Sequence, residues 1–230
     1  MLNKLIRVTL SACIISFFFS CAANSSYIPE RKPIVVANRP PFELAKVDIG
    51  VNTALFGVKV TKQESTVMYH PKTNDVSLDF VFYMNKVTLL FDHVARQYFQ
   101  DSLEQYISEF NEKKLTKKGN TKARYYKATG LLKWGTITQN GESLPEIRYG
   151  YIISGNGAYF TITVYEGKNY SELSRDYMKT NPAMTLCLSI AQAQKIVELM
   201  GEDNIKEALA NDTIQAPNIK DSEADAYSEE

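Results

Sequence analysis

The sequence predicts an α+β fold of antiparallel meander sheets, each crossed by an amphipathic helix. Several short segments alternate apolar and polar residues and are separated by turn residues, as antiparallel strands are. Two longer segments repeat apolar residues at intervals of three and four, which is typical of helices that lie on a sheet. The chain has 230 residues, 44% of them hydrophobic, with 26 basic and 26 acidic side chains. This composition indicates a folded protein of one domain or two small ones, with no charge excess that would attract it as a whole to nucleic acid.

The first 21 residues are predicted to be a targeting segment. Lys4 and Arg7 precede an apolar run from Val8 to Phe19, which has the length of a signal-peptide core. The run is shorter than the roughly 20 apolar residues that a transmembrane helix needs.

A small residue, Ser20, stands directly before Cys21 at the end of this run. The pattern resembles the signal of bacterial lipoproteins, in which the cysteine is acylated and becomes the first residue of the mature chain. The resemblance implies a signal peptide at 1–20, lipidation of Cys21 and an extracytoplasmic protein anchored to a bacterial membrane. Phe18 and Phe19 depart from the family pattern, so an ordinary secretory signal or an uncleaved anchor are the alternatives.

Composition divides the rest of the chain into three parts. Residues 21–47 contain four prolines and are predicted to be a lipidated, proline-rich tether. Residues 48–210 are predicted to fold, in halves at 48–115 and 120–210. Residues 211–230 are acidic and poor in apolar residues, which predicts a disordered tail.

The first half is predicted to hold four strands and a helix. Turn residues and alternation place the strands at 51–60, 64–70, 76–84 and 87–91, with a hairpin turn at Asn85-Lys86. Asp92 is predicted to cap a helix that runs to about Glu112, with apolar residues on one broad stripe.

The second half is predicted to repeat this order. Its strands are placed at 124–138, 146–153, 158–165 and 184–188, with turns at Asn140-Gly141 and at 155–157. Ser189 and Gln192 form a predicted capping box for a helix that ends at Gly201, and a shorter helix is predicted at 203–210.

The two halves therefore read as β-β-β-β-α pseudo-repeats. Residues 88–92 (TLLFD) and 185–189 (TLCLS) each combine the end of a strand with a helix cap. The tandem arrangement, carried by 85–89 and by the helix through Tyr98 and Tyr106, resembles the PUR-repeat and Whirly-like fold. The resemblance implies binding of single-stranded nucleic acid by curved sheets, and no motif is specific enough to assign binding residues from it.

The densest charge feature is the segment 113–127, which contains no acidic residue. Basic groups beside aromatic rings can meet phosphates, anionic lipid head groups or other polyanions, whereas the alternative is a solvated loop after a helix. The predicted partner-binding residues are Lys113, Lys114, Lys117, Lys118, Lys122, Arg124, Tyr125 and Tyr126.

The sequence contains few residues arranged for catalysis. Cys187 lies in an apolar run and is predicted to be a core thiol, while His70 and His93 are predicted to lie at the surface. No cofactor or metal site is predicted, and carboxylates such as Asp75, Asp79 and Glu166 are the candidates for polymer hydrolysis.

These observations predict a lipid-anchored cell-envelope protein that binds or scaffolds another envelope component without catalysis. Two alternatives remain open: a PUR-like protein that binds single-stranded nucleic acid, and a hydrolase of envelope polymers.

Overall fold

A computed structural model describes residues 36–54, 57–136, 139–155, 157–171, 179–211, 218–219 and 225–226. The predicted signal peptide, Cys21 and residues 21–35 of the predicted tether lie outside the described residues. No helix in the described ranges has both the length and the hydropathy to cross a membrane.

The described residues form twelve strands, three α-helices and one short 3-10 helix. The first four strands are β1 Phe42–Asn52, β2 Val60–His70, β3 Asp75–Phe82 and β4 Asn85–Phe91. They are followed by helix α1, His93–Asn111, and by the 3-10 helix Thr121–Ala123. The next six strands are β5 Lys127–Thr129, β6 Leu131–Thr136, β7 Gln139–Ser143, β8 Glu146–Ser154, β9 Gly157–Val164 and β10 Met184–Leu188. The remaining elements are α2 Ile190–Met200, α3 Glu202–Ala210, β11 Asn218–Ile219 and β12 Asp225–Ala226.

All the strands belong to one sheet, which confirms the α+β class and corrects the prediction of separate sheets. The strand order is β5-β8-β9-β10-β1-β2-β3-β4-β6-β7, with antiparallel pairs along it. The predicted halves meet through ladders, because Gly50 of β1 pairs with Cys187 of β10 and Leu89 of β4 pairs with Leu132 of β6. The halves 48–115 and 120–210 therefore share one continuous sheet.

The sheet curls, and the segment 127–136 supplies strands near both of its ends. β5 pairs with β8, β6 pairs with β4, and only Gly130 separates β5 from β6. A Cβ atom at Gly130 would lie 2.3 Å from Ile147 Cδ1 and 3.1 Å from the Leu90 carbonyl oxygen. The glycine therefore lets strands from the two ends of the sheet approach each other.

In the described residues, the helices and the sheet enclose one large hydrophobic core, and Ile152, Tyr159 and Cys187 form a small second cluster. Phe99 of α1 stacks on Tyr149 of β8 and on Phe160 of β9, with 5.6 Å between ring centroids in each case. Ala193 and Ile196 of α2 are fully buried in the same core. Helix α1, which follows the first four strands, thus packs on strands of the second half, so the predicted assignment of one helix to each separate sheet is wrong.

The helix caps are confirmed. Asp92 Oδ1 accepts a hydrogen bond from Ala95 N at 2.8 Å. Ser189 Oγ accepts from Gln192 N, and Gln192 Oε1 accepts in return from Ser189 N. Helix α2 ends at Met200, and Gly201 separates it from α3.

The predicted turn at Asn85-Lys86 is wrong, because both residues belong to β4. Phe82 pairs with Asn85, so the two-residue turn is Tyr83-Met84. The sequence contains no glycine there, and Tyr83 adopts a φ of 54°. Met84, which the sequence places at the end of the predicted strand 76–84, lies in this turn and is 88% exposed.

The predicted turn at Asn140-Gly141 is also wrong, because these residues belong to β7 and oppose Gly135 and Trp134. A Cβ atom at Gly141 would lie 2.3 Å from Trp134 Cζ2. The glycine thus makes room for the indole ring.

Two domain limits differ from the prediction. β1 begins at Phe42, so the last residues of the predicted tether 21–47 form a strand paired with β2. The strand predicted at 51–60 spans the connection between β1 and β2.

Four residues of the predicted disordered tail also pair with the sheet. β11 runs parallel to β1 at Lys46–Val47, and β12 pairs with β9 at Gly157–Ala158. Because β10 ends at Leu188, these parts of β1 and β9 are not covered by β10, and the tail pairs there.

Candidate partner-binding surface

The basic segment 113–127 leaves α1 in a fixed direction. Lys113 has a φ of 54° and its N–H donates to Phe110 O at 3.1 Å. The N–H of Lys114 donates to Glu109 O at 2.8 Å. This pair of bonds is a Schellman ending, with a lysine at the left-handed position that glycine usually occupies.

The hydroxyl of Tyr151 on β8 holds the backbone of Thr116 in the next part of the segment. The hydroxyl accepts from Thr116 N at 3.0 Å and donates to Thr116 O at 3.1 Å. Leu115 is buried, and the N–H of Lys118 donates to Thr116 Oγ1 at 3.2 Å. The backbone on both sides of Lys117 is therefore held.

The 3-10 helix Thr121–Ala123 lies directly on β8. A Cβ atom at Gly150 would lie 2.1 Å from Thr121 O and 2.9 Å from Lys122 Cα. Glycine at this position is what allows the loop backbone to reach the sheet. Gly119, with a φ of 81°, reverses the chain just before this contact.

Glu109 of α1 fixes the far end of the segment. Arg124 donates from Nε and from Nη2 to the two carboxylate oxygens of Glu109, each at 2.9 Å, and the Tyr125 hydroxyl donates at 3.0 Å. Burial would raise the pKa of Glu109, but the hydrogen bonds from Arg124 and Tyr125 outweigh it and hold this pKa below its usual value. Burial and the neighbouring Glu109 charge raise the pKa of Tyr125.

Seven of the eight predicted binding residues therefore divide into two sets, and the eighth, Tyr126, stacks on Tyr98. Arg124 and Tyr125 hold the fold through Glu109, and Lys114 pairs with Glu112. The second set, which we call the basic turn, comprises the lysines that extend from the fixed loop, of which three are exposed and the last is half-buried: Lys113, Lys117, Lys118 and Lys122.

Two stacked tyrosines connect α1 with the residue just before β5. Tyr126, 46% exposed, stacks on Tyr98 of α1 with ring centroids 5.5 Å apart and an interplanar angle of 18°. Tyr98 was predicted only as part of the helix stripe, and its spacing gave no signal that it would meet a residue 28 positions away.

Of the histidine and cysteine residues considered for catalysis, His93, next to the cap Asp92, and Cys187 lie where the sequence predicts. Asp92 caps α1, and His93 is exposed in its first turn, as predicted. Cys187 is fully buried, and burial raises the pKa of its thiol to about 12. It is therefore the core thiol that the sequence predicts.

A short hydrogen-bond chain joins His70, Ser77 and Asp79 on β2 and β3. Ser77 Oγ donates to Asp79 Oδ1 at 2.8 Å and lies 2.9 Å from His70 Nε2. Since the Ser77 proton points to Asp79, His70 is the donor to Ser77. An activated serine needs the opposite polarity, with its hydroxyl donating to the imidazole. Burial lowers the pKa of His70, more than the nearby Asp79 and Asp75 charges raise it.

The candidate carboxylates do not converge. Asp75 and Asp79 lie on β3, whereas Glu166 follows β9 and is separated from β3 in the sheet by β10, β1 and β2. Within the described ranges, no group of three or more His, Cys, Asp or Glu side chains could hold a metal ion.

A cleft of about 160 Å³ lies between α1 and the junction of α2 with α3. Arg96, which lines it, is 8% exposed and donates to Met200 O at 3.0 Å. The volume is below the roughly 300–1,000 Å³ of typical small-molecule pockets. The extended basic turn is therefore the better candidate for a functional surface.

Comparison with known proteins gives a family without a described activity. The family model described as "Uncharacterised Treponema protein" matches residues 41–207, which excludes the predicted signal and the whole acidic tail 211–230. An uncharacterized protein of Treponema pallidum (strain Nichols) is 23% identical over 210 residues, covering 89% of this chain and 71% of the relative. No solved structure matches. The family match, which extends from the start of β1 into α3, shows that the chain belongs to this family of uncharacterised Treponema proteins.

Proposed function

We propose that this chain is a lipid-anchored protein of the bacterial cell envelope that binds another envelope component without catalysis. The observation that carries the binding part is the basic turn, whose backbone is fixed and three of whose four lysines are exposed. The helix ending at Lys113, the Tyr151 hydroxyl, the contact at Gly150 and the Glu109–Arg124 pair hold this backbone. A loop whose backbone is already fixed loses little conformational entropy when it binds, so recognition through its exposed lysines costs less.

The chemistry of the surface favours an anionic partner. The segment 113–127 contains no acidic residue, and the partner's phosphate or carboxylate groups would face Lys117 and Lys118. The neighbouring Tyr98–Tyr126 stack offers a flat aromatic face, on which a sugar ring or an apolar side chain can pack. Envelope polymers and acidic envelope proteins both carry such groups.

The occupied hydrogen bonds of the polar residues support a binding role over an enzymatic one. His70 and Ser77 form a chain with the wrong polarity for a nucleophile, and Cys187 is buried. The Asp92 carboxylate serves as a helix cap.

The proposal includes the tandem architecture. Four antiparallel strands precede α1, and β10, which ends the second set, leads into α2 through a second cap. We treat the two segments as pseudo-repeats in which strands lead into a capped helix, with four strands in the first segment and six, β5–β10, in the second.

The anchoring part is tested by the intact mass of the protein taken from its own membranes. We expect a mass without residues 1–20 and with acyl chains on Cys21. A full-length unmodified chain in the soluble fraction would contradict the anchor.

The binding part is tested by the double variant Lys117→Glu/Lys118→Glu. With about 1 kcal/mol for each lysine near an anionic surface, removing the two lysines weakens binding by about 30-fold, and charge reversal weakens it further. The measurement is affinity for an anionic envelope polymer at several salt concentrations, since this binding falls as salt rises.

The matched control is Lys168→Glu/Lys206→Glu, which changes the net charge equally at exposed lysines outside the segment. Equal losses in both double variants would show that binding follows net charge and not the basic turn. Tighter, salt-dependent binding of single-stranded oligonucleotides would replace the envelope partner by nucleic acid.

A further inference from the structure

The turn between β3 and β4 carries the two most exposed of the large hydrophobic side chains in the described residues. Tyr83 is 66% exposed and Met84 is 88% exposed, and Val81 beside them is 50% exposed. Single exposed apolar residues are common on soluble proteins, but three in one hairpin form a contiguous feature. We call Val81, Tyr83 and Met84 the apolar tip.

The backbone at the apolar tip disfavours the residue found there. Tyr83 has a φ of 54° in a two-residue turn, a position that glycine and asparagine normally occupy. Bulky side chains in the left-handed region are strained, and such strain concentrates at functional positions. Folding alone therefore gives no reason for an exposed tyrosine at this turn.

The apolar tip is held in place from within. Phe82 is 6% exposed, and its ring meets the Tyr83 ring edge-on with 4.5 Å between centroids. The exposed aromatic ring is thus supported by the core and has a preferred direction.

Along the chain, the charged residues nearest the apolar tip are Lys86 and Asp79, and the Asp79 carboxylate accepts a hydrogen bond from Ser77 Oγ on the same strand. Residues 80–87 include one charged residue, Lys86, and no carboxylate. The neighbouring hairpin, joined to it through the pairing of Lys86 with Gly135, has no charged residue from 134 to 141. An apolar surface with a single exposed lysine complements an interface that is apolar inside and anionic at its edge.

We infer that the apolar tip inserts into the interface of a lipid bilayer. Tyr83 lies at head-group level, where its ring is apolar and its hydroxyl remains hydrated, and Met84 reaches the upper acyl chains. Lys86 contacts anionic phospholipid. The inference deepens the proposed function and rests on it only for bringing the protein to a membrane.

Chain length allows this orientation. The turn lies at the end of the sheet opposite the start of β1, as alternate connections do in an antiparallel meander. β1 has 11 residues and spans about 37 Å. The N–H groups of Val36 and Ala37 donate to Pro71 O, between β2 and β3. The segment 21–35 before this contact has a maximum reach of roughly 50 Å, which exceeds that height.

The experiment is photolabelling of the full native chain bound to vesicles of phosphatidylcholine and phosphatidylglycerol that contain a lipid with a photoactivatable acyl chain. Adducts are mapped to peptides by mass spectrometry. We expect adducts within residues 81–86, and fewer of them when phosphatidylglycerol is left out.

Tyr83→Gly is the decisive variant, because glycine suits the positive φ and should keep or raise the unfolding temperature. We expect labelling at the tip to fall by at least about fivefold in Tyr83→Gly and in Met84→Ser. Val94→Ser, at an exposed apolar position on α1, should leave it unchanged.

Labelling confined to the N-terminal residues, or tip labelling that does not change in these variants, would overturn the inference. Crosslinks from 81–86 to another protein chain in place of lipid would overturn it too. If the intact mass shows no acylation, the proposed anchor fails, and labelling after vesicles are added to the protein still decides the role of the tip.

Discussion

Glu109 forms hydrogen bonds with two of the residues that the sequence predicts to bind a partner. Its carboxylate is 13% exposed and accepts hydrogen bonds from Arg124 and from Tyr125. Charge-assisted bonds of this kind are stronger than neutral ones, and the arginine pair is bidentate. Arg124 and Tyr125 therefore stabilise the fold. The basic turn contributes three exposed lysines to the surface of the same segment.

Replacing Glu109 with Gln is expected to lower the free energy of unfolding by about 1–3 kcal/mol at neutral pH. The folded pKa of Glu109 lies below its usual value, so its contribution is present above the unfolded pKa and is lost as pH falls through the folded one. The wild type and Glu109→Gln should therefore converge in stability at acid pH. Urea unfolding at a series of pH values measures this, with Glu104→Gln on the same helix as control; a constant difference down to acid pH would contradict it.

The elements divide into those fixed by local signals and those fixed by distant contacts. Asp92 and Ser189 are caps that act on residues three positions ahead, and both were predicted. The turn at Tyr83-Met84 was not, because the ladder from Phe82 to Asn85 sets it and its residues are poor turn formers.

Variants of Asp92 test how much the side-chain cap stabilises α1. Asp92→Ala removes the acceptor of the Ala95 N–H and should cost about 1 kcal/mol, whereas Asp92→Asn retains an acceptor and should cost much less. Thermal unfolding of the three proteins measures the difference. Equal losses in both variants would mean that the carboxylate charge, and not the cap, stabilises α1.

The candidate surface also combines features that local sequence predicts with features that distant contacts determine. The segment 113–127 was recognisable from its composition, since seven basic residues occur there without an acidic one. Its division into structural and outward residues was not, because Glu109 lies 15 residues before Arg124 and Tyr151 lies 35 residues after Thr116. Such contacts depend on how α1 lies on β8, which no local pattern encodes.

At the scale of the whole molecule, both joins between the two halves are strand pairs. β1 meets β10 at Gly50 and Cys187, and the segment 127–136 meets both β8 and β4. Helix α1 packs on β8 and β9 through Phe99, so the helix after the first four strands depends on strands of the second half. A single cooperative unfolding transition is expected from this interleaving, and neither half should fold alone.

A substitution at Gly130 tests whether stability depends on the close approach of strands from the two ends of the sheet. In Gly130→Ala the new methyl group would lie 2.3 Å from Ile147 Cδ1, an overlap that should cost about 1–3 kcal/mol. Ile147→Val removes that Cδ1 atom, so the double variant Gly130→Ala/Ile147→Val should be more stable than the sum of the two single effects predicts. Urea unfolding of the four proteins gives the coupling energy. Additive effects would mean that strain at the Leu90 carbonyl, 3.1 Å from the new methyl, dominates instead. A positive coupling would show that Gly130, between β5 and β6, forms a close-packed junction with β8, because the new methyl group and Ile147 Cδ1 compete for the same space.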